Sequence, residues 1–198
     1  MITTITPTAQ TAWTALRTLL IFTVLLGLVY PLLITAAGLL VPAQAAGQPV
    51  ASGARTVGSA LLAQASPGPE WFHPRPSAAG AEGWDGLASG ASNLAATSPV
   101  LADVVAERRA AYAAENGASP AAVPADALYA SGSGLDPDIS PENARAQAAR
   151  VAEARGVATA DIERLIAAHT RSPWAGFLGS WRVNVLELNR AVAELTED

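Results

Sequence analysis

The residues able to do chemistry in this chain are few, and they are scattered. There are two histidines, His73 and His169, no cysteine, and no lysine, so that all twelve basic residues are arginine. Without cysteine there is no thiolate nucleophile, no disulfide and no Cys-ligated zinc. Without lysine there is no P-loop lysine, no kinase strand lysine and no Schiff base. His73 stands in a proline-rich loop and His169 near a helix end, and no HExxH pattern joins either to a second ligand. Each therefore reads as a hydrogen-bonded structural histidine. A hydrolase pairing His73 with a serine would need a third, orienting group, and the sequence names none. GxSxG, GxGxxG and GxxxxGK[ST] are all absent. The expectation is a chain with no catalytic residue and no metal ligand.

Three polar clusters remain. Asp136, Asp138 and Glu142 lie in LDPDISPE. They have the rough spacing of a calcium loop but lack its sharp-turn glycine, and Asp turns ahead of a negative first helical turn account for them. Ser89, Ser92 and Asn93 lie in SGASNL, a glycine-containing loop that either presents N–H groups to an anion or is a plain turn. Arg75 follows Phe72 and His73 and precedes Ser77 in WFHPRPSAAG, where a guanidinium can bind carbonyls or a carboxylate in a fixed fork. With no cleft chemistry to serve, these loops read as contact surfaces.

The elements that carry them begin with an anchor. The chain has 198 residues, 51% hydrophobic and only 15% charged, with net charge -5. It has no basic stripe, which argues against nucleic acid as a partner. No charged side chain occurs between Arg17 and Arg55, and Thr18–Val41 is apolar on every face. A helix of that length reaches about 36 Å, against a hydrocarbon core about 30 Å thick. The run exceeds the ~7–15 residues of a signal-peptide core, so Ala43-Gln44-Ala45 is not expected to be a cleavage site. Pro31 removes a hydrogen bond to residue 27 and is expected to kink the span, while Gly27 admits a neighbouring helix. Positive charge precedes the span and none follows until Arg55, which places the N-terminus in the cytoplasm and the rest outside. The expected organisation is a short cytoplasmic N-terminus (1–15), a transmembrane helix (16–41), a linker (42–56) and an extracytoplasmic soluble domain (57–198).

Within that domain Val57–Gln64 suits a short strand, and 65–98 suits an ordered, irregular region set with Trp71, Phe72 and Trp84. Helices follow. Ser98-Pro99 and Ser140-Pro141 are cap-plus-proline starts, Gly117 and Gly156 are stops, and Thr159 is a third cap. Leu101, Val104, Val105, Arg108 and Tyr112 share a face, and Ile162, Leu165 and Ile166 another. Asn184 and Glu187 form a capping-box-like start for a last helix striped by Val185, Leu188, Val192 and Leu195. The fold class expected is α+β: one transmembrane helix, then a mostly helical soluble domain with a small β-sheet.

Taken in order, Tyr30-Pro31, GSALLAQ (58–64), WFHPRPSAAG (71–80), SGASNL (89–94), ASGSGLDPDISP (130–141), RVAEARGV (150–157), GFLG (176–179) and RVNVLELN (182–189) resemble the KdpC family. KdpC is the C subunit of the bacterial potassium-transporting Kdp ATPase. The resemblance covers residues 16 to 193. It implies a non-catalytic accessory subunit in the bacterial inner (plasma) membrane. The implied partners are a potassium-channel-like subunit, a P-type ATPase subunit and a small helical subunit, with ATP and potassium handled by those partners. It also implies a catalytic-chaperone effect raising the ATPase subunit's affinity for ATP. The chain departs from the family's usual pattern at Ala91, where SGGSN has glycine, and that weakens the likeness to a nucleotide-binding signature. On this reading Gly27, Tyr30 and Pro31 contact partners in the membrane. Phe72, His73, Arg75, Ser77, Ser89, Ser92 and Asn93 contact them outside it. The rival expectation is a stand-alone, membrane-tethered extracytoplasmic binding module.

Overall fold

The computed structural model describes residues 7–53 and 55–195, and the chain divides into two compact units, Met1–Gly47 and Gln48–Asp198. Of the expected N-terminal segment 1–15, residues 1–6 lie outside the described residues.

The first unit is helical. Helix α1 (Pro7–Val24) passes through a five-residue π-helical turn, Leu25–Val29, into α2 (Tyr30–Gly38), and a short α3 (Pro42–Ala45) follows. Thr8–Gly38 is 31 residues long with a mean hydropathy of 2.4, and the most apolar part of it is not buried against any other part of the chain. Such a helix is compatible with a single-pass membrane anchor. A widened turn immediately precedes the proline expected to kink this helix. The Tyr30 N–H reaches back five residues to the carbonyl of Leu25. Widening the turn moves the carbonyl that the Pro31 ring would otherwise strike. Thr35 then donates its hydroxyl to the Pro31 carbonyl at 2.9 Å.

The second unit opens with the hairpin of β1 (Pro49–Ser52) and β2 (Arg55–Ser59), antiparallel with a bulge between Val50 and Ala51. The stretch expected as a linker thus contains a helical turn and a strand, and the strand expected at Val57–Gln64 runs two residues earlier and ends at Ser59. Residues 60–98 hold no regular element among those described. Then come α4 (Pro99–Asn116), β3 (Asp138–Ile139), α5 (Pro141–Arg155), α6 (Thr159–His169), β4 (Thr170–Arg171), β5 (Arg182–Asn184) and α7 (Val185–Leu195). The short strands form an antiparallel sheet in the order β3-β5-β4. The class is α+β.

The core lies where α5, α6 and α7 meet β5 and the loop residue Phe72. Its buried members include Ile139, Val151, Ile162, Ile166, Val183, Leu188 and Val192, with Ala144 and Ala148 on α5 letting its neighbours approach closely. Phe72 has no exposed surface, and burying such a side chain contributes about 1.5–3 kcal/mol. It pins an otherwise irregular loop to three helices. A smaller cluster of Ala113, Val123, Ala127 and Leu128 lies under α4. Four helix ends follow the sequence signals. Ser140 Oγ accepts from Asn143 N–H at 3.0 Å, and Asn184 Oδ1 from Glu187 N–H at 3.1 Å. Gly117 and Gly156 close α4 and α5 in the left-handed region. Two signals read differently. Ser98 precedes α4 without a side-chain cap bond, and α6 is preceded by Ala158, so that Thr159 is its first residue rather than its cap.

Candidate functional site

The loops singled out in the sequence are held by side chains of α5 and α7. Asn189 on α7 receives the Phe72 N–H at 2.8 Å and returns its own Nδ2–H to the Phe72 carbonyl at 2.9 Å. Gln147 on α5 does the same for His73, accepting from its N–H at 2.7 Å and donating to its carbonyl at 3.1 Å. Both amides are buried, and each substitutes for a strand that the loop lacks. The second Nε2 hydrogen of Gln147 goes to Asn143 Oδ1 at 2.9 Å, so the amide is fully used. Arg150, one turn on, donates to the carbonyls of Pro69 and Trp71 at 2.7 and 3.0 Å, to Gln147 Oε1 and to Asn116 Oδ1. Arg155 donates to the Glu70 carbonyl and lies 4.0 Å above the Trp71 ring. Side chains of α5 thereby fix the backbone of residues 69–71 and 73, and α7 fixes that of Phe72 between them.

Behind this clamp lies a polar chain. Tyr112 of α4 donates to Asn143 Oδ1 at 2.8 Å, and Asn143 Nδ2 donates to Asp126. Asp126 also accepts from the N–H and the hydroxyl of Ser140. Burial, reinforced by the charge of Asp126, pushes the Tyr112 phenol well above its ordinary value, so it stays a neutral donor. Burial also lowers the Arg150 guanidinium from its usual range, against the pull of Glu115. Arg150 stays charged all the same, and its charge goes into backbone carbonyls.

The second set of loops forms a turn cluster. Ser77 Oγ donates to the Gly134 carbonyl at 2.6 Å and accepts from the N–H groups of Ala79 and Trp84. The Ser133 carbonyl receives both the Ser89 hydroxyl and the Gly90 N–H, each at 2.9 Å. The SGASNL and ASGSG segments are thus two sides of one turn structure. Gly134 has φ +68°, and a Cβ there would fall 2.6 Å from the Gly90 carbonyl oxygen. Arg75 donates to Asp136 Oδ2 at 2.9 Å and to the Tyr129 carbonyl.

Of the acidic cluster, Asp136 also caps its own turn by accepting the Asp138 N–H, and Asp138 pairs with Arg182 at 3.1 Å. Burial, then the neighbouring Asp136, raises the Asp138 carboxyl above its ordinary value, with Arg182 opposing. Both carboxylates spend their oxygens on the chain's own donors. Among the described residues no group of three or more His, Asp or Glu is arranged to hold a metal ion.

The residues expected to form contact surfaces divide accordingly. Phe72 is a core residue, because its side chain is fully enclosed, and this corrects its expected place on a contact surface. His73 is half-buried, with Nε2 facing the Gly68 carbonyl at 3.0 Å and Nδ1 facing Glu115 at 3.2 Å. Arg75 and Ser77 organise the loops from within. Ser89, Ser92 and Asn93 lie on the surface, with Asn93 in the left-handed region at φ 53°. His169 bonds the Leu165 carbonyl one turn back through Nδ1, as a structural histidine does. On the helix, Tyr30 is 57% exposed and a Cβ on Gly27 would meet nothing, so this face is open within the chain. The residues that the sequence did not single out are Asn143, Gln147, Arg150 and Asn189. Arg150 opens RVAEARGV and Asn189 closes RVNVLELN, but their partners lie 79 to 117 positions away, beyond any local pattern.

Comparison with known proteins accounts for nearly the whole chain. The model of the family described as "KdpC: K+-transporting ATPase, c chain" matches residues 12–194. A relative from Kineococcus radiotolerans, named potassium-transporting ATPase KdpC subunit, is 58% identical over 181 residues, covering 91% of this chain and 92% of its own. Proteins of the same name from Caulobacter vibrioides and Gemmatimonas aurantiaca are 51% and 50% identical, covering 90% and 86% of this chain and 90% and 85% of their own.

Proposed function

Because this chain belongs to the KdpC family, the c chain of K+-transporting ATPases, we propose that it is a non-catalytic accessory subunit of an ATP-driven potassium uptake complex. In this role it assembles and stabilises a channel-like subunit and a P-type ATPase subunit, together with a small helical subunit. The observation that carries the reading is the pairing of a family match over residues 12–194 with a 31-residue apolar helix whose most apolar stretch is unburied among the described residues. An apolar helix bearing a π turn, a glycine and a proline is suited to dock against helices supplied by others.

The chain lies in the bacterial inner membrane, with residues 1–15 cytoplasmic, 16–41 spanning, 42–56 connecting and 57–198 outside. The charge asymmetry around the span supports that orientation. Gly27, Tyr30 and Pro31 face a partner helix. Outside the membrane, Ser89, Ser92 and Asn93 meet the channel-like subunit, on a turn structure held by Arg75 and Ser77. His73 borders it. A body outside the membrane does not meet ATP. Any rise in the ATPase subunit's affinity for ATP is transmitted as a coupling between conformations, worth about 1–3 kcal/mol in typical cases.

The test is co-purification in detergent with the three partner subunits, followed by potassium-stimulated ATPase assay with and without this chain. Loss of assembly and of stimulation without the chain is expected. Intact stimulation without it, together with a function of the isolated chain, would favour a stand-alone tethered binding module. A reporter fused at Asp198 reads the orientation: activity only outside the cytoplasm is expected, and activity of a cytoplasm-restricted reporter would place the body beside ATP.

A further inference from the structure

Pro31 brings no N–H into the apolar helix, so its hydrogen-bond ladder is short of one backbone donor. In a regular α-helix the carbonyl left waiting would be that of Gly27, four residues back. The π turn Leu25–Val29 brings Leu26 into the same position. The Tyr30 N–H passes over the Leu26 carbonyl, which would be its α-helical acceptor, and donates to Leu25. The residue five beyond Leu26, on which a π register would call, is Pro31 itself. The Leu26 carbonyl therefore has neither its α-helical nor its π-helical donor. We infer that it is the acceptor for an uncharged hydrogen-bond donor, a hydroxyl or carboxamide side chain, on a helix of a partner subunit.

The chemistry of the vacancy names its occupant. An acceptor without a donor calls for a donor, and lipid chains have none to give. Leu26 stands eight residues beyond Thr18, where the uncharged run opens, and so about 12 Å along the helix. At that depth an unpaired carbonyl is costly, because no water reaches it to take the missing donor's place. The carbonyl is also accessible. Leu26, Val29 and Tyr30 are exposed. Gly27 shares the Leu26 peptide group, has no side chain to screen it, and leaves open space where a Cβ would stand. The helix does not spend its nearby hydroxyl here, since Thr35 donates to the Pro31 carbonyl at 2.9 Å. An arginine or lysine on the partner could donate as well, but an ionised side chain carries a penalty of its own in hydrocarbon. Hydroxyls and carboxamides do not, and they are the side chains that join helices across a bilayer.

This inference rests on the reading that the helix docks against partner helices, and the test separates the two. Leucine labelled with carbon-13 at the carbonyl and glycine labelled with nitrogen-15 leave two peptide groups carrying both labels, Leu26–Gly27 and Leu178–Gly179. The Leu178 carbonyl already accepts the Trp174 N–H at 3.0 Å and serves as the paired reference. Gly27→Ala deletes the Leu26 signal and so assigns it. Solid-state NMR is recorded on the full chain in phosphatidylcholine bilayers, alone and in the complex with its partner subunits. The Leu26 carbonyl is expected upfield in the chain alone and downfield in the complex, as a hydrogen bond forms. Pro31→Ala returns an N–H to the ladder, so in that variant the signal should lie downfield without partners. A chain that does not co-purify with the partner subunits defeats the docking reading and this inference with it. A complex that assembles while the Leu26 signal stays upfield defeats this inference alone. A signal already downfield in the chain alone would assign the donor to trapped water or to the chain itself and overturn the partner assignment. A Pro31→Ala signal that does not move would show that the vacancy is not at Leu26.

Discussion

Asn189 and Phe72, 117 residues apart, exchange a full pair of hydrogen bonds: the Phe72 N–H donates to Oδ1 at 2.8 Å and Nδ2 donates to the Phe72 carbonyl at 2.9 Å. A helix side chain thus completes the backbone of a loop that has no strand beside it. The Phe72 ring then fills the core beneath.

Replacing Asn189 with alanine strands two buried backbone groups at once. The expected cost is about 2–4 kcal/mol, because each unsatisfied buried group forfeits its desolvation. Chemical denaturation of the full chain in detergent reads it as a lowered midpoint. Asn189→Asp should be no milder, since the replacement oxygen faces the Phe72 carbonyl. A midpoint within error of the parent would mean that water replaces the pair.

Arg150 offers a sharper comparison, because the charge can be kept while the fork is lost. Lysine reaches at most part of the set now served: the Pro69 and Trp71 carbonyls, Asn116 and Gln147. Arg150→Lys should destabilise by about 2 kcal/mol and raise protease sensitivity between residues 66 and 71. If charge rather than geometry mattered, lysine would behave as the parent does.

Asp138 makes a pH prediction. Burial and Asp136 raise its carboxyl in the folded chain, so the folded state holds this proton more tightly than the unfolded one. Between the unfolded value, near 3.9, and the higher folded value, folding keeps a proton that unfolding releases. Stability from this group therefore falls as pH rises through that window and is level above it. Asp138→Asn should remove that fall. The measurement is the difference between the two stability curves from pH 3 to 8, and a difference that does not vary with pH over the acid limb would refute the assignment.

How much of this was legible depends on how far each determinant lies from its partner along the chain. The apolar run, the Ser140 cap, the glycine stops at Gly117 and Gly156 and the Asn184–Glu187 cap are set by neighbours within four residues, and all were readable. Ser98 has the same local signature as Ser140 but makes no side-chain bond. Asp126, which accepts from the Ser140 hydroxyl and backbone, holds Ser140 in place; Ser98 has no such support in its cap. The strand Pro49–Ser52 lacks alternation because only Val50 is buried in it, so its composition resembled a linker. Phe72 looked like a surface aromatic in a polar loop, because what buries it comes from helices 70 or more residues further on. The roles of Gln147, Arg150 and Asn189 were hidden for the same reason: a polar residue on a helix declares a buried partner only in three dimensions.

Gly134 concentrates the constraint on the turn structure that carries Ser89, Ser92 and Asn93. Its φ is +68°, and an added Cβ would lie 2.6 Å from the Gly90 oxygen and 2.8 Å from both the Cβ and the N of Ala79. Ala79 is fully buried, and the Gly90 backbone is tied to the Ser133 carbonyl, so neither can retreat at low cost. Gly134→Ala should therefore cost about 2–4 kcal/mol, the strain of the left-handed backbone adding to the clash. Gly132, two residues earlier, has open space where its Cβ would stand and no positive φ, so Gly132→Ala should change stability by under about 0.5 kcal/mol. The pair share a segment and a chemistry and differ only in local geometry. Measured side by side in the assembled complex, Gly134→Ala should also weaken co-purification, because the exposed serines and Asn93 lose their support. Equal behaviour of the two variants would show that the turn is not held as rigidly as its hydrogen bonds require.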